Sequence, residues 1–355
     1  MTSKRVLKLR KIIEDISTYR RGIYWNKIVK NRLPDGYKKL SEKEKQAVKS
    51  LFGKYGKVNE NYHEFYKNAT GKFYENYIPD DLYYCKIDPY FNNWALAEYL
   101  DNKCYYKTIF PDVKQPETIA CRMNRIWYID NMPTTFEKVL AVLKGSESFV
   151  KMATDSEGGA GVFYLPSDVD VKKVVAVIDS IDTDIVIQQA IKQSKTMSEL
   201  NKSSVNTIRL LSFLDQNGNV KIYSSVVRMG IDNSKVDNAS SGGITCGIEK
   251  DGRLKPIAYS AKGQRFESHP NTHLQFDTLT IPKYRELEEL VKKLHIRLPH
   301  FRLLSWDFAL GVDDEPILIE VNLRYGELDF HQLNNGPVFG NDTKKILEEV
   351  FRSDI

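Results

Sequence analysis

The chain has 355 residues, of which 41% are hydrophobic and 28% charged, with a net charge of +5. That length and composition support a large core, in two domains or in one with an elaborated extension, and exclude long-range disorder. No apolar run reaches the roughly 18–20 residues of a membrane span, and no apolar signal core follows the basic start Met1-Thr2-Ser3-Lys4-Arg5.

Residues 1–57 form a basic helical extension. They hold 17 Lys/Arg against 5 Asp/Glu, so the remaining 298 residues carry a net −7. Val6, Leu9, Ile13 and Ile16 fall on one helical face. Either this stripe docks on the protein body, which is the expectation, or the helix makes peripheral contact with an anionic membrane. Nucleic acid is not expected as a partner: zinc-finger spacing, aromatic RNA-binding motifs and basic-zipper heptads are all missing. Two helices are predicted here, broken near Leu33-Pro34-Asp35-Gly36. The second starts at Ser41, with Glu44 three residues on completing a capping box.

Residues 58–120 are rich in aromatics, read as core or interface. From about residue 116 short β-rich runs alternate with turns. Strands are predicted at Ser148–Lys151, Val162–Leu165, Asp184–Gln189, Thr207–Leu214, Val220–Met229, Leu303–Leu310 and Ile317–Val321. Asp215-Gln216-Asn217-Gly218 marks a hairpin. Helices are predicted over 169–180, 284–296 and 343–352. The fold class is α+β with much antiparallel pairing. The scattered cysteines Cys85, Cys104, Cys121 and Cys246 form no CxxC pair, which fits a reducing cytoplasm.

Several positions carry chemistry. Glu320 and Asn322 lie two apart on a strand and share a face. Asp307 lies on the preceding strand, joined to it by a short acidic turn. If the strands pair, two carboxylates and an amide oxygen converge, a hard-oxygen set suited to Mg²⁺; an ordinary amphipathic hairpin would show the same pattern. On this reading Trp306, Phe308, Ile319 and Val321 face the opposite, buried side. A carboxylate flanked by such residues is costly to bury without a cation. Lys151, followed by Gly158, Gly159 and Gly161, reads either as a phosphate-binding strand and flap or as a plain hairpin. Gln188, Gln189, Ala190 and Ile191 end a strand, either lining an adenine or simply solvated. Arg209 and Arg228 stand on strands, as clamps for phosphoryl or carboxylate groups do. Asn206, Asp237, Asn238, Gly242, Gly243 and His269 complete a polar set of possible substrate or phosphate contacts.

The order of these features is more specific than any one of them. The chain resembles ATP-grasp proteins, and more narrowly the sugar-transfer-associated group related to α-L-glutamate ligases of bacterial surface-polysaccharide loci. The resemblance rests on Val205-Asn206-Thr207-Ile208-Arg209, Arg228, Val236-Asp237-Asn238 with Gly242-Gly243, His269-Pro270-Asn271-Thr272, Trp306-Asp307 and Leu318-Ile319-Glu320-Val321-Asn322. It covers roughly residues 60–340. His63-Glu64-Phe65-Tyr66, Tyr77-Ile78-Pro79 and Asp101-Asn102-Lys103 fit more loosely. The family's usual glycine before Trp-Asp is Ser305 here, and Val321 replaces a small residue.

The resemblance implies two α+β subdomains gripping ATP, over 121–191 and 192–355. Lys151 would bind phosphate, the glycines would close over the triphosphate, and Gln188 to Ile191 would line the adenine. Asp307, Glu320 and Asn322 would hold Mg²⁺, with Arg209 and Arg228 facing the γ-phosphate and the developing acyl phosphate. The implied activity is carboxylate–amine ligation, with an acidic sugar or lipid-linked glycan among the possible substrates. Phosphoryl transfer that stops at a kinase product and non-catalytic ATP binding are the alternatives.

Overall fold

The basic leading segment folds as two helices, Thr2–Arg32 and Glu42–Phe52. The Ser41 hydroxyl accepts from the Glu44 backbone N–H, and the Glu44 carboxylate accepts from the Ser41 N–H at 2.7 Å. This capping box satisfies two otherwise orphaned donors. The Ser41→Ala variant is expected to lose about 1 kcal/mol, seen as an earlier urea midpoint. The computed structural model describes residues 2–154, 161–232 and 242–352, with side chains from residue 12 onward. The first helix packs inward through Trp25, stacked on Tyr84 at 4.0 Å, and through buried Val29. Arg32 pairs with Asp329 at 2.5 Å. Ile13 and Ile16, expected on a docking stripe, are instead exposed.

The aromatic stretch does form core: Tyr62, Tyr66, Tyr77 and Tyr83 are buried among short helices, and Tyr66 stacks on Tyr77 at 4.4 Å.

Two antiparallel sheets follow. The first holds β1 (Thr118–Met123), β2 (Ile126–Ile129), β3 (Met132–Thr134), β4 (Ser148–Met152), β5 (Val162–Leu165) and β6 (Ile185–Gln189), ordered β3-β2-β1-β6-β4-β5. Helices Phe136–Leu143 and Val171–Asp179 cover it through Val139, Leu143, Val174 and Ile178. Strands β1 to β3 are joined by two-residue turns, Asn124-Arg125 and Asp130-Asn131, in which all four residues have positive φ. These are the left-handed turns that match strand twist. Neither contains the glycine that usually announces one, so the sequence reading did not delimit this meander.

The second sheet holds β7 (Thr207–Leu214), β8 (Val220–Met229), β9 (Ile244–Ile248), β10 (Leu254–Ser260), β11 (Arg265–Phe266), β12 (Leu303–Leu310) and β13 (Pro316–Asn322). Their order is β11-β10-β9-β8-β7-β12-β13. Strands β7 and β12 are buried along their whole length. One face packs Ile208, Leu210, Trp306 and Phe308 against Leu287, Val291 and Leu294 of the Tyr284–His295 helix. The other face packs Leu211, Phe213 and Leu303 against the N-terminal and C-terminal helices. Arg209, Ser305 and Asp307 alternate with the first set and so lie on the second face.

Strict alternation predicts Ile319 in the core beside Val321. The register instead slips, with Asp307 opposite Glu320 but Phe308 opposite Leu318. This bulge adds a residue to β13, sends Leu318 into the core and leaves Ile319 half-buried.

Behind β12 a buried chain of hydrogen bonds fixes the strand. Trp306 Nε1 donates to Ser212 Oγ at 2.8 Å, Ser212 Oγ lies 2.7 Å from His295 Nδ1, and His295 Nε2 lies 2.9 Å from the Phe301 carbonyl. Burial pushes the His295 imidazole down to about 4 from 6.5. Between those values the unfolded chain binds the extra proton, so this residue's contribution to stability falls as pH drops. A His295→Gln variant lacks that dependence. Its stability deficit against the natural protein is expected to narrow between pH 6.5 and about 4, followed by urea unfolding at successive pH values.

Candidate active site

The site lies on the β7–β8–β12–β13 face, where four strands bring charged side chains into register. Arg209 on β7 faces Asp307 on β12, and Asp307 faces Glu320 on β13. Arg209 Nε and Nη2 donate to the two Asp307 carboxylate oxygens, both at 2.6 Å. Arg209 Nη1 donates to Glu327 Oε2 at 2.6 Å. Arg228 on β8 adds a third contact to Asp307 at 3.2 Å. Asn322 stands beside Asp307, and its Nδ2 donates to the Ser305 carbonyl at 3.3 Å. Lys103 reaches in from the pre-sheet region and pairs with Glu320 at 2.8 Å.

Asp307, Arg209, Arg228 and Lys103 are all buried. Burial alone would raise the Asp307 pKa, but the Arg209 and Arg228 guanidinium groups outweigh it and hold the carboxyl below its ordinary 3.8. Burial disfavours charge on Lys103 too, yet Glu320 holds its ammonium above the ordinary range. Buried charges of this kind persist only when paired. His331 lies beside this cluster with Nδ1 2.8 Å from Ser224 Oγ. Burial, reinforced by Arg209, pushes it down to about 3, so it is a neutral neighbour at physiological pH.

The loop after β13 carries Glu327 and is fixed from below. Buried Asp88 accepts from the Tyr325 N–H at 3.0 Å, Trp94 Nε1 at 3.1 Å and Asn92 Nδ2 at 2.6 Å. The Tyr83 hydroxyl donates to the Gly326 carbonyl at 2.8 Å. A Cβ at Gly326 would stand 2.6 Å from Ser305 Oγ, so the loop approaches β12 as only glycine allows.

The predicted residues fare differently. Asp307, Glu320, Asn322, Arg209 and Arg228 are brought together. Lys151 and Gln188 meet in the first sheet, the lysine donating to the amide oxygen at 3.0 Å. Gln188 is buried and Gln189 exposed; Ala190 and Ile191 are half-buried. Gly161 has a positive φ and closes the β4–β5 hairpin, its carbonyl accepting from Met152 at 3.0 Å. Gly158, Gly159, Asp237 and Asn238 lie outside the described residues. Gly242 has a positive φ in open space and precedes buried Gly243.

Asn206 and His269 are clamps within loops. Asn206 Nδ2 bonds the Met197 and Asn201 carbonyls at 2.7 and 2.8 Å. His269 is buried. Its Nε2 lies 3.0 Å from the Gly230 carbonyl, which also accepts from Asn201. Together they fix the end of β8 and hence the backbone beyond Arg228.

Lys103 and Glu327 were missed as site residues. Lys103 belongs to the Asp101-Asn102-Lys103 stretch, but nothing in its spacing pairs it with Glu320. Glu327 follows Gly326, and that glycine in an otherwise polar loop is the signal available.

The donor set fits magnesium by type. Asp307, Glu320 and Asn322 are hard oxygen donors on one contiguous face, and Mg²⁺ commonly takes one or two carboxylates together with substrate phosphates. Their charge is balanced here by Lys103, Arg209 and Arg228. Among the described residues no group of three or more His, Cys, Asp or Glu forms a metal cluster by itself.

Comparison with solved structures gives matches of low identity. The biotin carboxylase domain of a Hydrogenobacter thermophilus 2-oxoglutarate carboxylase, in complex with MgADP, is 14% identical, with a TM-score of 0.45 over 74% of this chain and 47% of that one. An L-amino acid ligase from Bacillus licheniformis is 14% identical, at TM-score 0.39 over 70% and 47%. The D-alanine–D-alanine ligase of Coxiella burnetii is 10% identical, at TM-score 0.38 over 72% and 59%. The chain spans about half the length of the first solved structures it matches. No curated protein matches it. The sugar-transfer associated ATP-grasp family matches residues 86–348, most of the chain, and the protein belongs to that family.

Proposed function

We propose that this protein is an ATP-dependent ligase joining a carboxylate to an amine through an acyl phosphate. The observation that carries the reading is the charge-balanced cluster in which buried Asp307, Lys103, Arg209 and Arg228 meet the half-buried carboxylates Glu320 and Glu327. Such a cluster is poised for exchange. Incoming phosphates compete for the lysine and arginines, and the carboxylates freed from those partners can pair with a cation instead.

Lys103 and Lys151 bind phosphate oxygens, and Gln188 to Ile191 line the adenine. The substrate carboxylate oxygen attacks the γ-phosphorus of ATP, and the bond to the β-phosphate oxygen breaks, releasing ADP. Arg209 and Arg228 offset the charge that develops on the transferring group. An amine then attacks the acyl carbon and loses a proton, and phosphate leaves. The glycines at 158, 159 and 161 close over the site and keep water from the intermediate. Magnesium, held by Asp307, Glu320 and Asn322, would supply further charge neutralisation at the phosphates. We assign the chemistry to the cytoplasm, on an acidic sugar or lipid-linked glycan destined for a bacterial surface polysaccharide. We divide the chain into a basic extension at 1–57, an aromatic region at 58–120, and ATP-grasp subdomains at 121–191 and 192–355.

The test is release of ADP and phosphate with a panel of uronic acids and amines. Amine-dependent phosphate release is the expected result. A stable phosphorylated product formed without any amine would overturn the ligase reading in favour of a kinase.

A further inference from the structure

Among the described residues, the first helix carries a second apolar face that is largely exposed. Ile12, Ile16, Tyr19 and Ile23 are 46%, 49%, 71% and 52% exposed. They recur at steps of four, three and four residues, which at 100° per residue places them within a narrow ridge. The inward face of the same helix is carried by Trp25 and Val29, well round the cylinder from the ridge. The ridge is therefore not the docking face.

Charge surrounds this ridge. The Thr2–Arg32 helix holds ten Lys/Arg and two Asp/Glu. Arg20, Lys27 and Lys30 are exposed along it. Tyr19 and Ile23 also border a cleft of about 270 Å³ shared with Phe52, Val58, Asp81, Lys57 and Lys86. An apolar cleft with lysines in its lining suits an acyl chain whose anionic headgroup stays beside the amines. Among the described residues no helix is long and apolar enough to cross a membrane.

We propose that this ridge is a docking surface for an anionic lipid bilayer, on which the helix lies in the interfacial plane. An apolar stripe bordered by Lys and Arg is what such binding requires, and each cation near an anionic surface adds to it. Pairing the ridge with a second copy would instead bring two strongly basic helices together, which their charge opposes. The proposal stands apart from the ligase chemistry, because no ridge residue belongs to the ATP site.

The experiment is co-sedimentation of the full chain with phosphatidylglycerol-containing vesicles and with pure phosphatidylcholine vesicles. Binding to the anionic vesicles alone, weakening with salt, is expected. The variant with Ile12, Ile16, Tyr19 and Ile23 all changed to Ser is expected to bind about tenfold or more weakly. Its unchanged ADP release would show that the fold and the ATP site are intact. A Lys27→Glu/Lys30→Glu variant, which keeps the ridge, is expected to lose affinity for anionic vesicles and serves if the first variant does not fold. The proposal is overturned by absent binding to anionic vesicles, or by equal binding of both variants. It is also overturned if the ridge instead mediates self-association in vesicle-free sedimentation and no vesicle binding is seen.

Discussion

Replacing Asp307 with alanine is expected to abolish ATP turnover and to destabilise the protein by about 3–5 kcal/mol. The size follows from what is left behind. Asp307 is the carboxylate to which both Arg209 and Arg228 are tied, and all three groups are buried. Removing one partner of a buried ion pair leaves an uncompensated charge, which costs more than the pair contributes. The bidentate pairing also fixes the Arg209 guanidinium, so the arginine loses its aim along with its partner. An Asp307→Asn variant keeps the shape and part of the hydrogen bonding. It is expected to recover some stability and little activity, because the charge is the functional quantity. The pH dependence has a defined sign. The folded-state pKa of Asp307 lies below the ordinary 3.8, so its contribution is complete above that value and is lost as pH falls through the lower, folded value. Urea unfolding and ADP release measured on the same preparations separate the two effects.

The second large effect is at Glu320. Glu320→Ala is expected to cut ATP turnover by about 10²-fold or more, with a smaller loss of stability than at Asp307. The difference arises from exposure: the Glu320 side chain is partly open to solvent, whereas its partner Lys103 is buried. Solvent screens part of the pair's attraction, while the lysine still loses its counter-charge. Glu320→Gln leaves an acceptor for Lys103 and is expected to restore most of the stability but not the activity. A Glu320→Gln protein that turns over ATP normally would remove Glu320 from the magnesium set.

Much of this site was legible because strands write their geometry into sequence. The bounds read for β7, β8 and β12 are those observed, and the two-residue step from Glu320 to Asn322 correctly shares a face. The desolvation argument at Asp307 was also sound in form: flanked by buried Trp306 and Phe308, it needs a cation. In this structure the cation is a pair of guanidinium groups, supplied by strands about 80 to 100 residues away. Periodicity reports which face a residue occupies but not which distant strand lies beside it, so the Arg209–Asp307 pairing could not be read directly. Lys103 was hidden for the same reason, since it sits in a single short turn with no periodicity and acts across more than 200 residues. The bulge that moves Leu318 into the core breaks alternation at one residue, and alternation alone cannot foresee it. Asn206 and His269 look like ligands in sequence because polar side chains in loops serve either ligands or backbone carbonyls. Here Asn206 Nδ2 and His269 Nε2 meet backbone carbonyls.

The central claim is that the Asp307–Glu320–Arg209 cluster receives the phosphates and magnesium of ATP. Calorimetric titration of ATP with magnesium into the natural protein and into an Asp307→Asn/Glu320→Gln variant tests it most directly. Saturable binding by the natural protein is expected, with affinity lower by about 100-fold or more in the variant. Equal affinity in a variant that unfolds as cooperatively as the natural protein would contradict it.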